Sequence, residues 1–428
     1  MNITPLERWI AEDASIENSR EALEKYQTEK IKEAIDYVKN NSKFYKEHLK
    51  DISTGTVKSL KNFESIPFTH SKDIVDFSDK FLCVPQKYVK RIVTLKTSGT
   101  TGDGKRVFFT EHDLNMTVDF FTHGFKAMLD ERDKVMIMMP GNTYGSVGDI
   151  IKKSLDRLNV QSFVYGVLKD PDDAADFIAE NNINALVALP AQIMFLSRVK
   201  KDVFVHNIEK LMLSADYVPE VLIKKLRTMC NCQVFTHYGL TETGYGCAVE
   251  CSELNGYHIR ENHIYLEVID PETNQVLEDG NWGEIVITTL KRQAMPLIRY
   301  RTGDWGCFYT RKCQCKTFLK TLKRSRGRID NRLCFEGNKH INMSEFDEAI
   351  FDYDSVLDYK IQASGNSIAA VLYLIDECMN DVDKIEESIR AIMIDKSIDA
   401  DLVISVDKNI NIAFSPNTMV KRHLRNKG

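Results

Sequence analysis

The chain has 428 residues, 43% hydrophobic and 28% charged, with a formal net charge of −5 at pH 7. That length exceeds what one hydrophobic core serves, so two or three domains are expected, and the negative charge excludes a non-specific nucleic-acid binder. No apolar run approaches the roughly 20 residues that span a bilayer, and the N-terminus lacks an apolar secretory core; ten cysteines without such a signal point to a reducing compartment, the cytoplasm.

In chain order, residues 17–50 are rich in Glu, Lys, Ala, Ile and Tyr and read as helix. Between 90 and 240, apolar runs at 135, 185, 211 and 233 read as buried strands. They alternate with helix-like stretches near 113–129, 146–158, 172–181, 192–201 and 219–230. That alternation predicts an α/β chain with helix-covered, mainly parallel sheets. From 256 to 310 the texture changes to a β-rich subdomain, with HIYLEVID and GEIVITTL as strands and turns at Asp270-Pro271 and Asp279-Gly280-Asn281. The cationic stretch 320–330 reads as a linker. A small α+β domain follows: helix 344–352, strands 356–362 and 368–375, helix 380–395 and strand 401–406. Ser344 and Asp347 fit a capping box for the first of these helices. The predicted domains are therefore 1–327 and 328–428.

Residues 97–105 read Thr97-Ser98-Gly99-Thr100-Thr101-Gly102-Asp103-Gly104-Lys105. Three glycines let backbone approach an anion, and four hydroxyls and a lysine offer donors to phosphate oxygens. Gly99 to Lys105 has the spacing of a nucleotide-binding P-loop. However, Arg106 stands where that motif needs Ser or Thr for magnesium, and the VFF that follows is strand-like.

The segment resembles instead the phosphate-binding signature of the adenylate-forming superfamily of acyl-CoA synthetases, luciferase and peptide-synthetase adenylation domains. Gly104 replaces the usual proline. The resemblance implies a large N-terminal domain and a small mobile C-terminal one. Further signatures follow in family order. His237-Tyr238-Gly239-Leu240-Thr241-Glu242 implies that Tyr238 stacks on adenine, that Thr241 contacts the α-phosphate, and that Glu242 holds Mg²⁺. Ser214, Ala215 and Asp216 lie where the family places an adenine loop. Tyr300-Arg301-Thr302-Gly303-Asp304 makes Asp304 a clamp for the ribose hydroxyls. At Gly327-Arg328-Ile329-Asp330, Arg328 is implied to reach ribose and phosphate, and Asp330 to be the hinge. Gly337 fits the glycine beside the pantetheine channel, with Lys339 near the phosphates. The ending SPNTMVK carries Lys421, implied to neutralise charge as the carboxylate attacks; Asn417 and Val420 replace the family's Arg and Gly.

The helical start ending in FYKEHL, the segment ESIPFTHSKDI and the compact length resemble the phenylacetate–CoA ligase-like branch. The implied activity uses ATP and Mg²⁺ to convert a carboxylic acid to an acyl-AMP, then passes the acyl group to coenzyme A. A carrier protein's phosphopantetheine is the alternative acceptor, and a nucleotide-binding regulatory protein without turnover is a third reading. Residues around Phe121, Phe125, Gly141, Tyr144, Ala188 and Tyr245 would line the acid pocket and favour an aromatic or medium-sized apolar acid. Cys313-x-Cys315, with Cys251 and His258, offers a Cys₃His set suited to a structural Zn²⁺. Cys247 and Cys307 are alternative ligands. Cys230 and Cys232 read as buried thiols at a helix–strand junction.

Overall fold

The computed structural model describes residues 3–95, 104–375 and 380–407, and the backbone of 425–427. The chain is α/β and forms two compact units, one of residues 1–131, 141–160 and 236–325, the other of 132–140, 161–235 and 326–428. Among the described residues no helix is long and apolar enough to cross a membrane.

In the first unit, the stretch read as one helix is broken. Helix Pro5–Ala14 precedes it, capped by Thr4 with Pro5 in the first turn; helices Arg20–Asn41 and Lys43–His48 follow. Ser42 causes the break: its extended backbone ends one helix and its Oγ accepts from Tyr45 N at 3.2 Å to start the next. Trp9 anchors the first helix, stacking on His123 at 5.3 Å and meeting His263 edge-on at 5.2 Å. Asp13 adds polar anchors to His263 (3.1 Å), Asn262 (2.7 Å) and Lys291 (2.7 Å).

Strands Arg91–Leu95 and Lys105–Phe109 pair antiparallel, Arg91 opposite Phe109 and Leu95 opposite Lys105. Helix Glu111–Phe125 starts from a capping box of Thr110 and Asp113. The β-rich part is an antiparallel sheet of Ile264–Ile269, Gly283–Thr289 and Tyr300–Gly306, whose Leu266, Val268, Ile285 and Ile287 enter a common apolar core. Buried within it, Arg299 forks onto Glu267 at 3.1 and 3.0 Å, donates to the Ile66 carbonyl at 2.7 Å and lies 4.1 Å over Phe68. Burial outweighs the pull of Arg299 and leaves Glu267 above the ordinary carboxylate range. Arg299→Met strands that carboxylate, so it should cost about 3–5 kcal/mol; urea unfolding at neutral pH measures the loss.

In the second unit, Lys134–Ile137, Gln161–Val164, Ala185–Ala188 and Lys210–Leu213 form a parallel sheet in the order 210-185-134-161. Three of them are short, apolar and largely buried, as strands covered on both faces are, while Gln161–Val164 at the sheet edge is partly exposed. Helices Pro171–Asn181, Pro190–Val199 and Lys201–Asn207 lie between successive strands, and Glu220–Cys230 follows the last. Strand Gln233–Tyr238 carries the chain into the first unit. The C-terminal stretch contributes a hairpin, Arg332–Phe335 with Lys339–Asn342, then helix Met343–Ile350. Strands Val356–Ser364 and Ser367–Leu374 pair antiparallel, and Asp401–Val406 pairs parallel with the second of them. The helix cap is corrected: the capping box is Asn342 with Glu345, not Ser344 with Asp347. The strand ending at Asn342 fixes where the extended cap residue falls.

Candidate active site and metal centre

Strand Gln233–Tyr238 ends in a 3₁₀ turn, Thr241–Thr243. Gly239 makes the bend: a Cβ there would lie 1.7 Å from the Tyr245 carbonyl oxygen. The chain then passes through two left-handed residues, Gly244 (φ 87°) and Tyr245 (φ 70°). The non-glycine member is held by its ring, stacked on Phe109 at 5.4 Å, and by Arg91 Nε donating to its hydroxyl at 3.3 Å.

The turn presents Glu242 to a buried triad. Its Oε1 accepts from Lys105 Nζ at 2.5 Å and Tyr300 OH at 2.9 Å, and Lys105 also donates to Tyr300 OH at 2.9 Å. Burial would raise the Glu242 carboxyl, but Lys105 and the hydrogen bonds outweigh it and hold it down at about 2. Tyr238 OH donates to Asp304 Oδ2 at 2.9 Å. Burial and that carboxylate push the phenol well above its ordinary value. His237 packs 5.1 Å from Phe121, and burial, aided by Arg260, lowers it to about 3, so its ring is neutral.

The remaining expected residues fall as follows. Thr97, Ser98, Gly99, Thr100, Thr101, Gly102 and Lys421 lie outside the described residues. In the second unit Ser214 N donates to the Ala188 carbonyl at 3.1 Å, Ala215 is left-handed (φ 71°), and Asp216 Oδ1 accepts from Tyr217 N. Arg328 pairs with Asp330 at 3.1 Å. Gly337 is left-handed at φ 75°, and Lys339 donates to the Ser397 carbonyl. Of the expected pocket residues, Phe121 and Phe125 are buried rings 5.9 Å apart. Tyr144 is exposed and donates to Glu111.

The four metal-ligand candidates converge: donor atoms of Cys251, His258, Cys313 and Cys315 all lie within 4.8 Å of one another. Cys251 follows strand Ala248–Glu250, His258 sits in strand Tyr257–Ile259, and Thr321 pairs with His258 across the sheet. Tetrahedral zinc with Zn–S near 2.3 Å and Zn–N near 2.05 Å requires S···S edges of about 3.8 Å and S···N edges of about 3.5 Å. Cys251 and Cys313 sulfurs are 3.7 Å apart and Cys315 Sγ is 3.4 Å from His258 Nε2, so the set fits. Thr321 Oγ1 lies 3.4 Å from His258 Nδ1, where it orients the ring. The Cys251 thiol and His258 lower Cys315 to about 3. Burial alone would lower His258, but Cys313 and Cys315 raise it to about 9. Cys247 is elsewhere, 2.8 Å from Thr243 Oγ1. Beneath the cluster, buried Glu250 accepts from Thr236 N, Gly256 N and Arg324.

Two parts of the site carried no signal in the sequence. Tyr300 was legible only as the opening of a signature, not as a partner of Glu242. Arg260 and Arg292 fit no motif, yet Arg292 donates to the Glu242 and Phe108 carbonyls and Arg260 to that of Thr243.

A family model described as AMP-binding enzyme matches residues 90–291. The phenylacetate-coenzyme A ligase of Thermus thermophilus is 27% identical over 344 residues, 74% of this chain and 73% of that protein. Its namesake from Escherichia coli is 23% identical over 348 residues, 78% of each. Among solved structures, 2-hydroxyisobutyryl-CoA ligase in the postadenylation state with 2-HIB-AMP shares the fold at TM-score 0.82 and 16% identity, over 96% of this chain and 91% of that one. Anthranilate CoA ligase with anthranoyl-AMP does so at TM-score 0.53 and 13% identity, over 74% and 63%.

Proposed function

We infer that this chain, which belongs to the adenylate-forming, AMP-binding superfamily on its phenylacetate–CoA ligase-like branch, uses ATP to activate a small carboxylic acid as its acyl-AMP and passes the acyl group to coenzyme A. The observation that carries the reading is the Lys105–Glu242–Tyr300 triad, at the end of the strand whose Tyr238 engages Asp304. A carboxylate is a poor electrophile at neutral pH, and AMP supplies the leaving group. The protein then needs no nucleophile of its own; it must align the acid with the α-phosphate and offset the charge that develops.

Each residue has a physical task in this reading. Glu242 and the phosphate oxygens hold magnesium, which when bound supplies positive charge to the phosphates. Lys105 is a compact point charge for which the nucleotide phosphates compete with its carboxylate partner, Glu242. Asp304 accepts from the ribose hydroxyls, and Tyr238 holds that carboxylate in place while offering a ring face to adenine. Residues 97–102 would supply donors to the phosphates, and Lys421 would offset the charge of the attacking carboxylate. Residues 328–428 act as the small domain, turning about Asp330 to exchange Lys421 for the channel beside Gly337. The acid is aromatic, in keeping with the phenylacetate-coenzyme A ligases that the chain resembles in sequence. Zinc held by Cys251, His258, Cys313 and Cys315 has a structural role, since all four positions are taken by protein.

Carboxylate-dependent exchange of labelled pyrophosphate into ATP, run across aryl and aliphatic acids, tests the first half-reaction. Exchange with an aryl acid is the expected result. ATP binding without exchange for any acid would favour a regulatory nucleotide-binding protein, a reading to which Asn417 and Val420 lend support. Thioester formed with coenzyme A, but not with a carrier protein, fixes the acceptor. Lys421→Ala should slow acyl-AMP formation at least tenfold more than thioester formation from pre-made acyl-AMP; equal slowing of both steps removes Lys421 from its role.

A further inference from the structure

Behind the Thr241–Thr243 turn lies a small cavity bounded by Asp113, Thr243, Gly244, Arg260, His263 and Arg292, with about 10 Å³ of room for the centre of a water-sized solute, enough for one. Arg260 is 3% exposed and Arg292 6%. Each anchors part of its guanidinium on backbone: Arg260 on the Thr243 carbonyl, Arg292 on those of Glu242 and Phe108. Arg260 Nε and Nη1 and Arg292 Nε meet no acceptor among the described residues. Buried N–H groups of a cation demand a partner more strongly than any neutral donor.

Charge gives the same answer. The cavity wall carries two guanidiniums and one carboxylate. Asp113 is already engaged, accepting from the backbone N–H of Thr110 (2.9 Å), Gln293 (2.7 Å) and Ala294 (3.0 Å). His263 donates Nε2–H to Asp13 at 3.1 Å, and burial, the larger influence, keeps the ring neutral, so it adds no charge. One positive charge is left over in a water-poor interior. His263 Nδ1 is then a lone-pair acceptor without a partner among the described residues. A water could satisfy that acceptor but leaves the charge excess in place; an anion removes the excess and accepts all three N–H groups.

We propose that this cavity binds one small monovalent anion of the chloride class, held by Arg260 Nε and Nη1 and by Arg292 Nε. The same two side chains grip the carbonyls of Glu242 and Thr243, so the anion fixes the turn that presents Glu242.

The test melts the protein in sodium chloride, bromide and gluconate at one ionic strength. Halide should raise Tm by about 2–4 °C over gluconate, saturably, and a crystal grown in bromide should show an anomalous peak between the two guanidiniums. Arg260→Gln should abolish the halide-specific rise. If that variant does not fold, the anomalous map of the unaltered protein decides. Equal melting in all three salts, with a non-anomalous peak of a water in the cavity, overturns the proposal.

Discussion

Glu242→Gln should slow acyl-AMP formation by about 10²–10³-fold, the usual cost of losing one preorganised electrostatic contact at a reacting phosphate or acyl centre. The amide keeps the shape but loses the charge that Lys105 faces at 2.5 Å and that a divalent cation needs. Pyrophosphate exchange under saturating ATP measures the loss, and an effect below tenfold would remove Glu242 from the metal-binding role. The substitution also has a signature without turnover. The native carboxyl sits at about 2 against an ordinary 4.5. Its contribution to stability is therefore fully present above pH 4.5 and lost as pH falls toward 2. The difference is on the order of 3 kcal/mol. Urea midpoints of the parent protein should fall more steeply across that window than those of the Gln variant; parallel curves would show that Lys105 and Glu242 are not coupled in solution.

The second large effect belongs to the Cys₃His cluster. Protein purified without added zinc should carry about one equivalent, and Cys315→Ser should carry less than half. Binding free energy of a structural metal is folding free energy. The variant should therefore lose at least about 4 kcal/mol, a Tm fall on the order of 10 °C. Metal-free protein with an unaltered Tm would mean that the thiols and His258 simply hydrogen-bond to one another. The Cys251 thiol and the 313–315 loop otherwise have little to hold them together, since no regular secondary structure spans residues 307–320.

What the sequence disclosed follows from range. Buried parallel strands announce themselves by apolar runs, and all four runs named at 135, 185, 211 and 233 are strands. Cysteine spacing and histidine chemistry foreshadowed a convergence that the sheet pairing of His258 with Thr321 then produces. Local signals that overlap were harder. Asn342 and Ser344 each stand three residues before an acid, and only the preceding strand decides between them. Ser42, a mid-stretch polar residue, gave no hint that it would end one helix and begin another. Long-range partnerships had no sequence signal at all: a tyrosine, two arginines and a glutamate converge on one turn from positions 242 to 300, and no periodicity encodes that.

The first helix brings in the order of synthesis. Trp9 meets His123 and His263, and Asp13 reaches residues 250 and 278 positions further along. A ribosome adding about 5–20 residues per second delivers His263 roughly 10–50 s after Asp13. Helix Pro5–Ala14 is made well before these partners, and for that interval Leu6, Trp9 and Ile10, all buried in the folded chain, lack that cover. A nascent chain of this protein therefore carries an apolar helix face without its cover until the arginine-lined turn region has been made.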